Sequence, residues 1–228
     1  MSWVSKTLSS TLGRKLLMAL TGLFLILFLV VHLAGNLQLL IPDQGQSFNI
    51  YAATMANNPL IRVVSIANFA FILIHVIYSI VLSQHNKKAR PVAYAVSKAS
   101  TNSVWASRNM GILGTVILIF LLVHLKGFWY EFKFGVVPTT SYDGVEYKDV
   151  FAIISEAYSH IGYVVFYVIS MGFLAFHLSH GFASAFQTLG LNHVKYSPLI
   201  KKVGLGFSIL VPVLFALIPV VMYFQNAG

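Results

Sequence analysis

Four histidines lie deep inside long apolar segments of this chain. They are His32 in LVVHLAG, His75 in FILIHVIY, His124 in FLLVHLKG and His177 in LAFHLSHG. An imidazole can ligate a metal or transfer a proton, and an ionisable side chain within a membrane span is costly enough to indicate a function. A single such histidine often does no more than hydrogen-bond a neighbouring helix. Four of them, each in a different segment, indicate a shared role.

The segments that carry these histidines predict an integral membrane protein. The chain has 228 residues, of which 57% are hydrophobic and only 9% charged, whereas about 25% of the residues are charged in a typical soluble domain. Five apolar stretches are long enough to cross a bilayer as helices, which takes about 20 residues each. They cover residues 14–41, 60–83, 108–130, 158–186 and 203–224. The predicted fold is an all-α bundle of five transmembrane helices in a single domain, residues 1–228, with outer loops at 41–59 and 131–156.

The distribution of charge predicts the topology of this bundle. The net charge is +9, but the basic residues follow the loops and do not form the compact patch that nucleic-acid binding requires. All six acidic residues fall on the side opposite the N-terminus, and 11 of the 15 basic residues fall on the N-terminal side. The 11 are Lys6, Arg14, Lys15, Lys87, Lys88, Arg90, Lys98, Arg108, Lys195, Lys201 and Lys202. Since basic residues concentrate in cytoplasmic loops, we expect a cytoplasmic N-terminus and a C-terminus across the membrane.

The depths of the four histidines predict two pairs. With a rise of about 1.5 Å per residue, His32 and His124 lie roughly 24–27 Å from the cytoplasmic starts of their helices. His75 and His177 are on helices that run the other way, and they lie roughly 12–14 Å from the cytoplasmic ends. The outer pair and the inner pair are therefore expected at levels about 10–15 Å apart.

Two imidazoles from different helices at one depth can hold a haem iron from both faces. Bis-histidine ligation leaves no open coordination position, so the predicted chemistry is electron transfer. Zinc would need more ligands, with acids or thiols among them, and the chain has no cysteine. A proton relay would normally include carboxylates within the membrane. His160 is a rival outer ligand, and His180 could contact a haem edge or propionate or hydrogen-bond another helix.

One histidine on each of the first four helices, and none on the fifth, resembles the di-haem cytochrome b membrane anchor of type B succinate:quinone oxidoreductases, the succinate dehydrogenase and fumarate reductase family. The supporting strings are FLVVHL around His32, NPLIR followed by HVIYSI around His75, LIFLLVHLKGFW around His124 and FYVISMGFLAFHLSHGF around His177. The likeness covers roughly residues 12–225. It implies the same ligand pairs as the depths, with His32 and His124 at the outer haem and His75 and His177 at the inner haem.

The resemblance implies two b haems, a quinone substrate that is usually menaquinone, and a bacterial cytoplasmic membrane. On its cytoplasmic side such an anchor binds an iron-sulfur subunit, which exchanges electrons with a flavoprotein subunit that interconverts succinate and fumarate. The complex could assemble as a dimer of heterotrimers. Two alternatives stay open: the cytochrome b subunit of a hydrogenase or formate dehydrogenase, and a haem-free small-solute transporter with histidines along its path.

Several further residues are candidates for cofactor or substrate contacts. Propionates need cationic or hydrogen-bonding partners, for which Arg62 is a candidate at the outer level and Arg14 or Arg108 at the inner end. All three could instead be interfacial anchors. A quinone site is expected near residues 43–51 and 126–129. In some members of the family that the chain resembles, an acidic residue after the first helix serves quinol proton chemistry, and this loop offers only Asp43. The residues proposed for the quinone site are Asp43, Gln44, Gln46, Lys126 and Trp129.

Overall fold

The computed structural model describes residues 6–7, 9–89 and 103–227. In chain order the elements are α1 (Thr11–Asn36), α2 (Gln46–Asn57), α3 (Pro59–Lys88), α4 (Trp105–Arg108), α5 (Met110–His124), α6 (Glu131–Phe134), β1 (Thr139–Tyr142), β2 (Val145–Lys148), α7 (Val150–Ser159), α8 (Ile161–Thr188) and α9 (Ser197–Ala227). A 3₁₀ turn, Leu37–Leu40, extends α1, and a π-helical segment, Leu125–Tyr130, joins α5 to α6. Arg90 and Lys98, two of the basic residues used to predict the topology, lie outside the described residues.

The prediction of five membrane-spanning helices is confirmed by length and composition. The spans are Thr11–Leu40, Pro59–Lys88, Met110–Phe134, Ile161–Thr188 and Ser197–Ala227. The shortest has 25 residues, which corresponds to about 37 Å of helix and exceeds the hydrocarbon thickness of about 30 Å. Many large apolar side chains on these helices are exposed, including Ile66 at 72% and Leu27 at 67%. Such surfaces suit lipid, because water would not favour so much apolar area.

Polar side chains begin the first two spans. Ser10 Oγ accepts a hydrogen bond from the Gly13 amide at 3.0 Å, and Asn58 Oδ1 accepts one from the Leu60 amide at 2.9 Å. Pro59 occupies the first turn of α3, where its missing N–H group is not needed. The first-turn amides have no carbonyl partner within the helix, so these caps fix where each span starts.

The two segments predicted as outer loops connect spans, and they contain short regular elements of their own. Residues 41–59 include α2, and residues 131–156 include α6, the β1–β2 hairpin and the start of α7. The hairpin turns at Asp143 and Gly144, both of which have positive φ angles, 51° and 77°. Such angles suit tight hairpin turns and explain why an Asp-Gly pair stands there. The hairpin is the exception to the all-α prediction in the described part of the chain.

The fourth span also begins later than residue 158. Asp149 caps α7 by accepting a hydrogen bond from the Ala152 amide at 3.1 Å. The chain then leaves helical geometry at His160, with φ −94° and ψ 111°, before α8 starts at Ile161. The apolar run is therefore divided between a short helix and the span. Here the end of the bundle formed by α2, the hairpin and α7 is called the hairpin end.

The spans pack as a group of four with the fifth outside it. Helix α1 packs against α3 and α8, and α5 packs against α8 and more lightly against α3. Helix α9 makes its most extensive contact with α8. Pro212 and Pro219 lie within α9, which stays helical through both. This arrangement surrounds the axis of the bundle with the four helices that carry the predicted ligands.

Helix α9 approaches α8 closely at Gly204. A Cβ atom at this position would lie 2.6 Å from Cδ1 and 3.2 Å from Cβ of Phe182. We expect Gly204→Ala to lower the free energy of unfolding by about 1–3 kcal/mol, since overpacking displaces neighbouring groups. Gly206→Ala is the matched control, because a Cβ there meets nothing within 4 Å. Thermal unfolding of the two variants in detergent measures the difference, and equal melting temperatures would contradict the prediction.

Candidate functional site

The four histidine rings lie in two close pairs inside the bundle. The ring centroids of His32 and His124 are 5.7 Å apart with an interplanar angle of 89°. Those of His75 and His177 are 6.4 Å apart with an angle of 64°. A metal ligated by two imidazoles places their centroids about 6 Å apart, since each metal–nitrogen bond is about 2 Å long. Both pairs are therefore spaced as two ligands of one metal would be.

Each pair joins helices on opposite sides of the four-helix group. His32 is on α1 and His124 on α5, while His75 is on α3 and His177 on α8. Both pairs therefore meet across the axis, because the extensive packing of α1 is with α3 and α8. Side chains on facing helices of a bundle are the usual source of cofactor ligands in this architecture.

The two pairs lie at different levels along the bundle. Thr21 contacts His75, and His32 follows Thr21 by 11 residues on the same helix, a rise of about 16 Å. On the other side, Tyr167 contacts His124 and precedes His177 by 10 residues, a rise of about 15 Å. Counted along α1 and along α8, the outer and inner pairs are thus about 15–16 Å apart. This is the upper limit of the separation of about 10–15 Å that the sequence predicts.

Thr21 orients the ring of His75. Its hydroxyl is buried, donates to the Leu17 carbonyl at 2.8 Å and lies 3.2 Å from His75 Nδ1. A hydroxyl that donates its single proton to a main-chain carbonyl, here that of Leu17 or Met18, can accept from His75 Nδ1–H, and the Met18 carbonyl is a second hydrogen-bond partner of His75. In this arrangement the proton of the neutral ring is on Nδ1, which leaves Nε2 free to ligate a metal.

His177 completes the inner pair with an unpartnered ring nitrogen. Its buried Nδ1 has no hydrogen-bond partner within residues 9–89 and 103–227. A buried polar atom without a partner is energetically unfavourable. We therefore expect a ligand or a proton acceptor to contact this nitrogen. The two inner rings lie beside glycines: a Cβ on Gly22 would be 3.4 Å from His75 Cε1, and one on Gly114 would be 4.0 Å from His177 Cε1.

The outer pair has a tyrosine neighbour and an asparagine neighbour. Tyr167 Oη lies 3.3 Å from His124 Nδ1 and 3.2 Å from Tyr163 Oη. In this row of hydrogen bonds, the Tyr167 hydroxyl can accept from the His124 imidazole and donate to the Tyr163 hydroxyl. Asn36 Nδ2 donates to the His32 carbonyl at 2.7 Å and lies 3.3 Å from His32 Nδ1. An amide nitrogen can only donate, so this contact pairs with an unprotonated Nδ1 on His32, whereas the reversed amide, with Oδ1 toward the ring, would accept from Nδ1–H.

Aromatic rings enclose the outer pair. Phe28 stacks on His32 at 5.1 Å, Phe120 stacks on His124 at 5.6 Å, and Phe215 of α9 approaches His32 at 5.7 Å. The chain changes from α-helical to π-helical immediately after His124. Such π segments are rare and frequently occur at functional sites. The outer pair is therefore held in an apolar aromatic shell at a local irregularity of its helix.

These observations fit the predicted cofactor. The rings form two pairs with suitable spacing, three of the four Nδ1 atoms have polar neighbours, and the surroundings are apolar. Within the part of the chain that the structure describes, no group of three or more His, Cys, Asp or Glu side chains converges as a metal site. The donor set is thus imidazole in pairs, which suits a haem iron whose other four ligands come from the macrocycle.

The two additional histidines lie outside the pairs. His160 is exposed at the start of α8, whereas the close outer pair is formed by His32 and His124. His180 is half-buried one turn beyond His177 on α8. Its predicted contact with a haem edge or propionate stays a prediction.

The three arginines predicted as propionate partners occupy different positions. Arg62 is exposed in the first turn of α3, where its Nε donates to the Ala56 carbonyl at 3.1 Å. Arg108 ends α4 and donates to the Ser103 carbonyl, and Arg14 is partly buried in the first turn of α1. Arg62 therefore lies at the hairpin end, and Arg14 and Arg108 lie at the other end, as the depth argument requires.

Asp43 serves as a helix cap. Its carboxylate accepts hydrogen bonds from the Gly45 amide at 3.1 Å and the Ser47 amide at 2.9 Å, at the start of α2. Partial desolvation raises its pKa, but the hydrogen bonds from Ser47 and Gly45 outweigh this and lower it below the ordinary value. The stabilisation from this cap is therefore present at neutral pH and is lost as the pH falls through that lowered pKa. A lowered pKa makes Asp43 a weaker proton acceptor.

The other predicted quinone-site residues have separate partners. Lys126 forms an ion pair with Glu131, and its Nζ lies 4.4 Å from the Tyr130 ring centroid. Trp129 packs edge-on against Phe69 at 4.9 Å. Gln44 has a positive φ of 56° in the turn before α2, and Gln46 begins that helix. Their role toward a quinone stays a prediction.

Sequence reasoning missed the polar residues that support the site. Asn36 follows His32 by one helical turn, and this spacing could have identified it. Thr21 and Tyr167 contact histidines on other helices, so only the packing reveals them. Asn49 is 1% exposed and links α2 to the hairpin and α7, although its position in an apparent loop gave no sign of burial.

Comparison with known proteins identifies no similar family, protein or structure. No protein-family model matches the chain, and no curated protein or solved structure matches it significantly.

Proposed function

We propose that this protein is the di-haem cytochrome b anchor of a succinate:quinone oxidoreductase, which carries electrons between a quinone and a cytoplasmic iron-sulfur subunit. The observation that supports it most is the pairing of four histidines from four helices at two levels. Two b haems bound at these levels would supply one-electron transfer along the bundle. The succinate and fumarate chemistry would belong to a partner flavoprotein.

The chain's own residues would bind and orient the two cofactors. His75 and His177 would hold the inner group, and His32 and His124 the outer group. Thr21 would keep the His75 proton on Nδ1, and Tyr167 would do the same for His124. The aromatic shell around the outer pair would exclude water and lower the local dielectric, which tunes a redox site.

The proposed orientation follows from the charges. All six acidic residues are at the hairpin end or adjacent to it: Asp43, Glu131, Asp143, Glu146, Asp149 and Glu156. The opposite end carries most of the basic residues, so it would face the cytoplasm and the iron-sulfur subunit. Quinone chemistry would then occur at the hairpin end in a bacterial cytoplasmic membrane, with menaquinone as the expected substrate.

A reduced-minus-oxidised spectrum of the purified full-length protein, combined with haem quantitation, tests this function. We expect b-type bands and two haems per chain. A spectrum without haem bands would exclude the cytochrome and favour a solute transporter. Co-purification with flavin- and iron-sulfur-containing subunits that oxidise succinate supports the proposed complex, whereas co-purification with a hydrogenase or formate dehydrogenase would replace it.

Thr21→Val tests the orientation of the inner ligand. Valine keeps nearly the same shape but cannot accept a hydrogen bond from His75. We expect the affinity of the inner site for haem to fall by roughly tenfold or more, as loss of such supporting groups costs about 10–100-fold in metal affinity. Haem release to excess apo-globin measures this change. Thr115→Val is the control, since that hydroxyl bonds only the Gly111 carbonyl of its own helix, and equal release rates for the two variants would contradict the assigned role.

A further inference from the structure

A cavity of about 490 Å³ opens at the hairpin end, away from the histidine pairs. Its walls come from α2, the first turn of α3, the end of α6, and strand β2. Two of its lining residues, Arg62 and Lys133, lie at the ends of the membrane-crossing segments Pro59–Lys88 and Met110–Phe134. The cavity therefore lies beside the ends of these two segments. The cavity is thus at the level where the headgroups of surrounding lipids lie.

Three cations and one carboxylate line the cavity. They are Arg62, Lys133, Lys148 and Glu146. No salt bridge joins the three cations to an acid in the described ranges, where Lys126–Glu131 is the ion pair found. All three cations are exposed and accessible to a ligand. The lining therefore carries an uncompensated positive charge.

Phe132 brings two of these cations together. Lys148 Nζ lies 5.0 Å from the centroid of its ring and donates to its carbonyl at 3.0 Å, and Lys133 Nζ lies 5.3 Å from the same centroid. The two ammonium groups are consequently no more than about 10 Å apart. An anion bound beside this ring would be attracted by both positive charges.

The remaining lining is partly apolar, and one of its polar side chains is fixed in place. Asn49, 1% exposed, is fixed by hydrogen bonds to Tyr142, Asp149 and the Phe151 amide. Alanine and valine side chains complete the walls. A site with cations at its rim and apolar groups within it, beside membrane-spanning helices, suits an amphiphile more than a free ion.

We propose that this cavity binds the phosphate group of an anionic phospholipid, with Lys133 and Lys148 as its main cationic contacts. Arg62 lies at the same rim. The site does not depend on the proposed haem ligation, since it shares no residue with the histidine pairs.

The test compares the delipidated full-length protein with its Lys133→Gln/Lys148→Gln variant by native mass spectrometry in detergent. Arg62 is left unchanged because a haem propionate is its alternative partner. We expect the unmodified protein to bind one phosphatidylglycerol at least tenfold more tightly than phosphatidylcholine with the same acyl chains. The variant should lose roughly thirtyfold in affinity, since each basic side chain near the headgroups contributes about a factor of five.

Lys201→Gln/Lys202→Gln is the matched control, with the same change in charge outside the cavity lining, on two exposed residues at the opposite end of the bundle. It should bind phosphatidylglycerol within about twofold of the unmodified protein, because charges much farther away than a Debye length are screened. Equal loss in both double variants, or equal binding of the two lipids, would overturn the proposal. Inorganic phosphate that binds as tightly as the lipid would show a site for a free anion and would also overturn it.

A second measurement covers the case in which the cavity variant does not fold. In the unmodified protein, phosphatidylglycerol but not phosphatidylcholine should protect Lys133 and Lys148 from acetylation. Lys201, exposed at the opposite end of the bundle, provides the internal reference and should react equally in both lipids. Unchanged acetylation of all three lysines would overturn the proposal.

Discussion

His75→Ala is expected to reduce the protein from two bound haems to one, with the outer haem retained. The inner pair would lose one of its two axial ligands, while the outer pair lies about 15 Å away along the bundle and shares no ligand with it. Haem quantitation and the reduced-minus-oxidised spectrum measure the loss. His177→Ala should give the same result, because the two rings form one pair at 6.4 Å.

The controls for this prediction are the complementary pair and a histidine outside both pairs. His32→Ala should remove the outer haem and leave the inner one. His160→Ala should keep both, since that side chain is exposed at the start of α8. If His75→Ala removed the outer haem alone, the assignment of the histidine pairs to levels would be wrong. If His160→Ala lost a haem, His160 would be identified as a haem ligand.

Asn49→Leu is expected to lower the free energy of unfolding of the hairpin end by about 2–4 kcal/mol. The Asn49 amide donates to Tyr142 Oη at 3.0 Å and to Asp149 Oδ1 at 2.9 Å, and its Oδ1 accepts from the Phe151 amide at 3.0 Å. Leucine would leave the Tyr142 hydroxyl and the Phe151 amide without this partner, while Asp149 would keep its bond to the Ala152 amide. Amide exchange over residues 139–159 should accelerate by a factor of roughly 30 or more, because opening of this region becomes easier.

Thr54→Val on the same helix is the control for Asn49→Leu. Thr54 is exposed, and its hydroxyl donates only to the Ile50 carbonyl of α2. We expect little change in exchange over residues 139–159. If the two variants exchanged at the same rate, the three hydrogen bonds of Asn49 would not be what holds the hairpin end together.

The fold was predictable where it depends on local chain properties. Length and hydropathy locate the five spans, because a membrane helix satisfies its own backbone hydrogen bonds and needs only enough apolar residues. Ser10 and Asn58 begin helices through bonds to amides two or three residues away. Helical rise converts the position of each histidine into a depth, so the levels of the two pairs follow from counting residues.

The hairpin end was not predictable in the same way. Residues 41–59 are rich in amide side chains and resemble a loop by composition. They form α2 because Asp43 caps the helix and because Asn49 bonds residues about 100 positions later in the chain. Partners so distant in sequence leave no periodic signal in either segment.

The sequence by itself determined that this protein has five apolar helices and that four of them carry a histidine at one of two depths, since both depend on spacing within single segments. Only the tertiary structure decided that the paired histidines face each other across the bundle, and that Thr21 and Tyr167 contact them. It also decided that the cations Lys133 and Lys148 meet at Phe132. These contacts join different elements, and their geometry depends on how the helices pack.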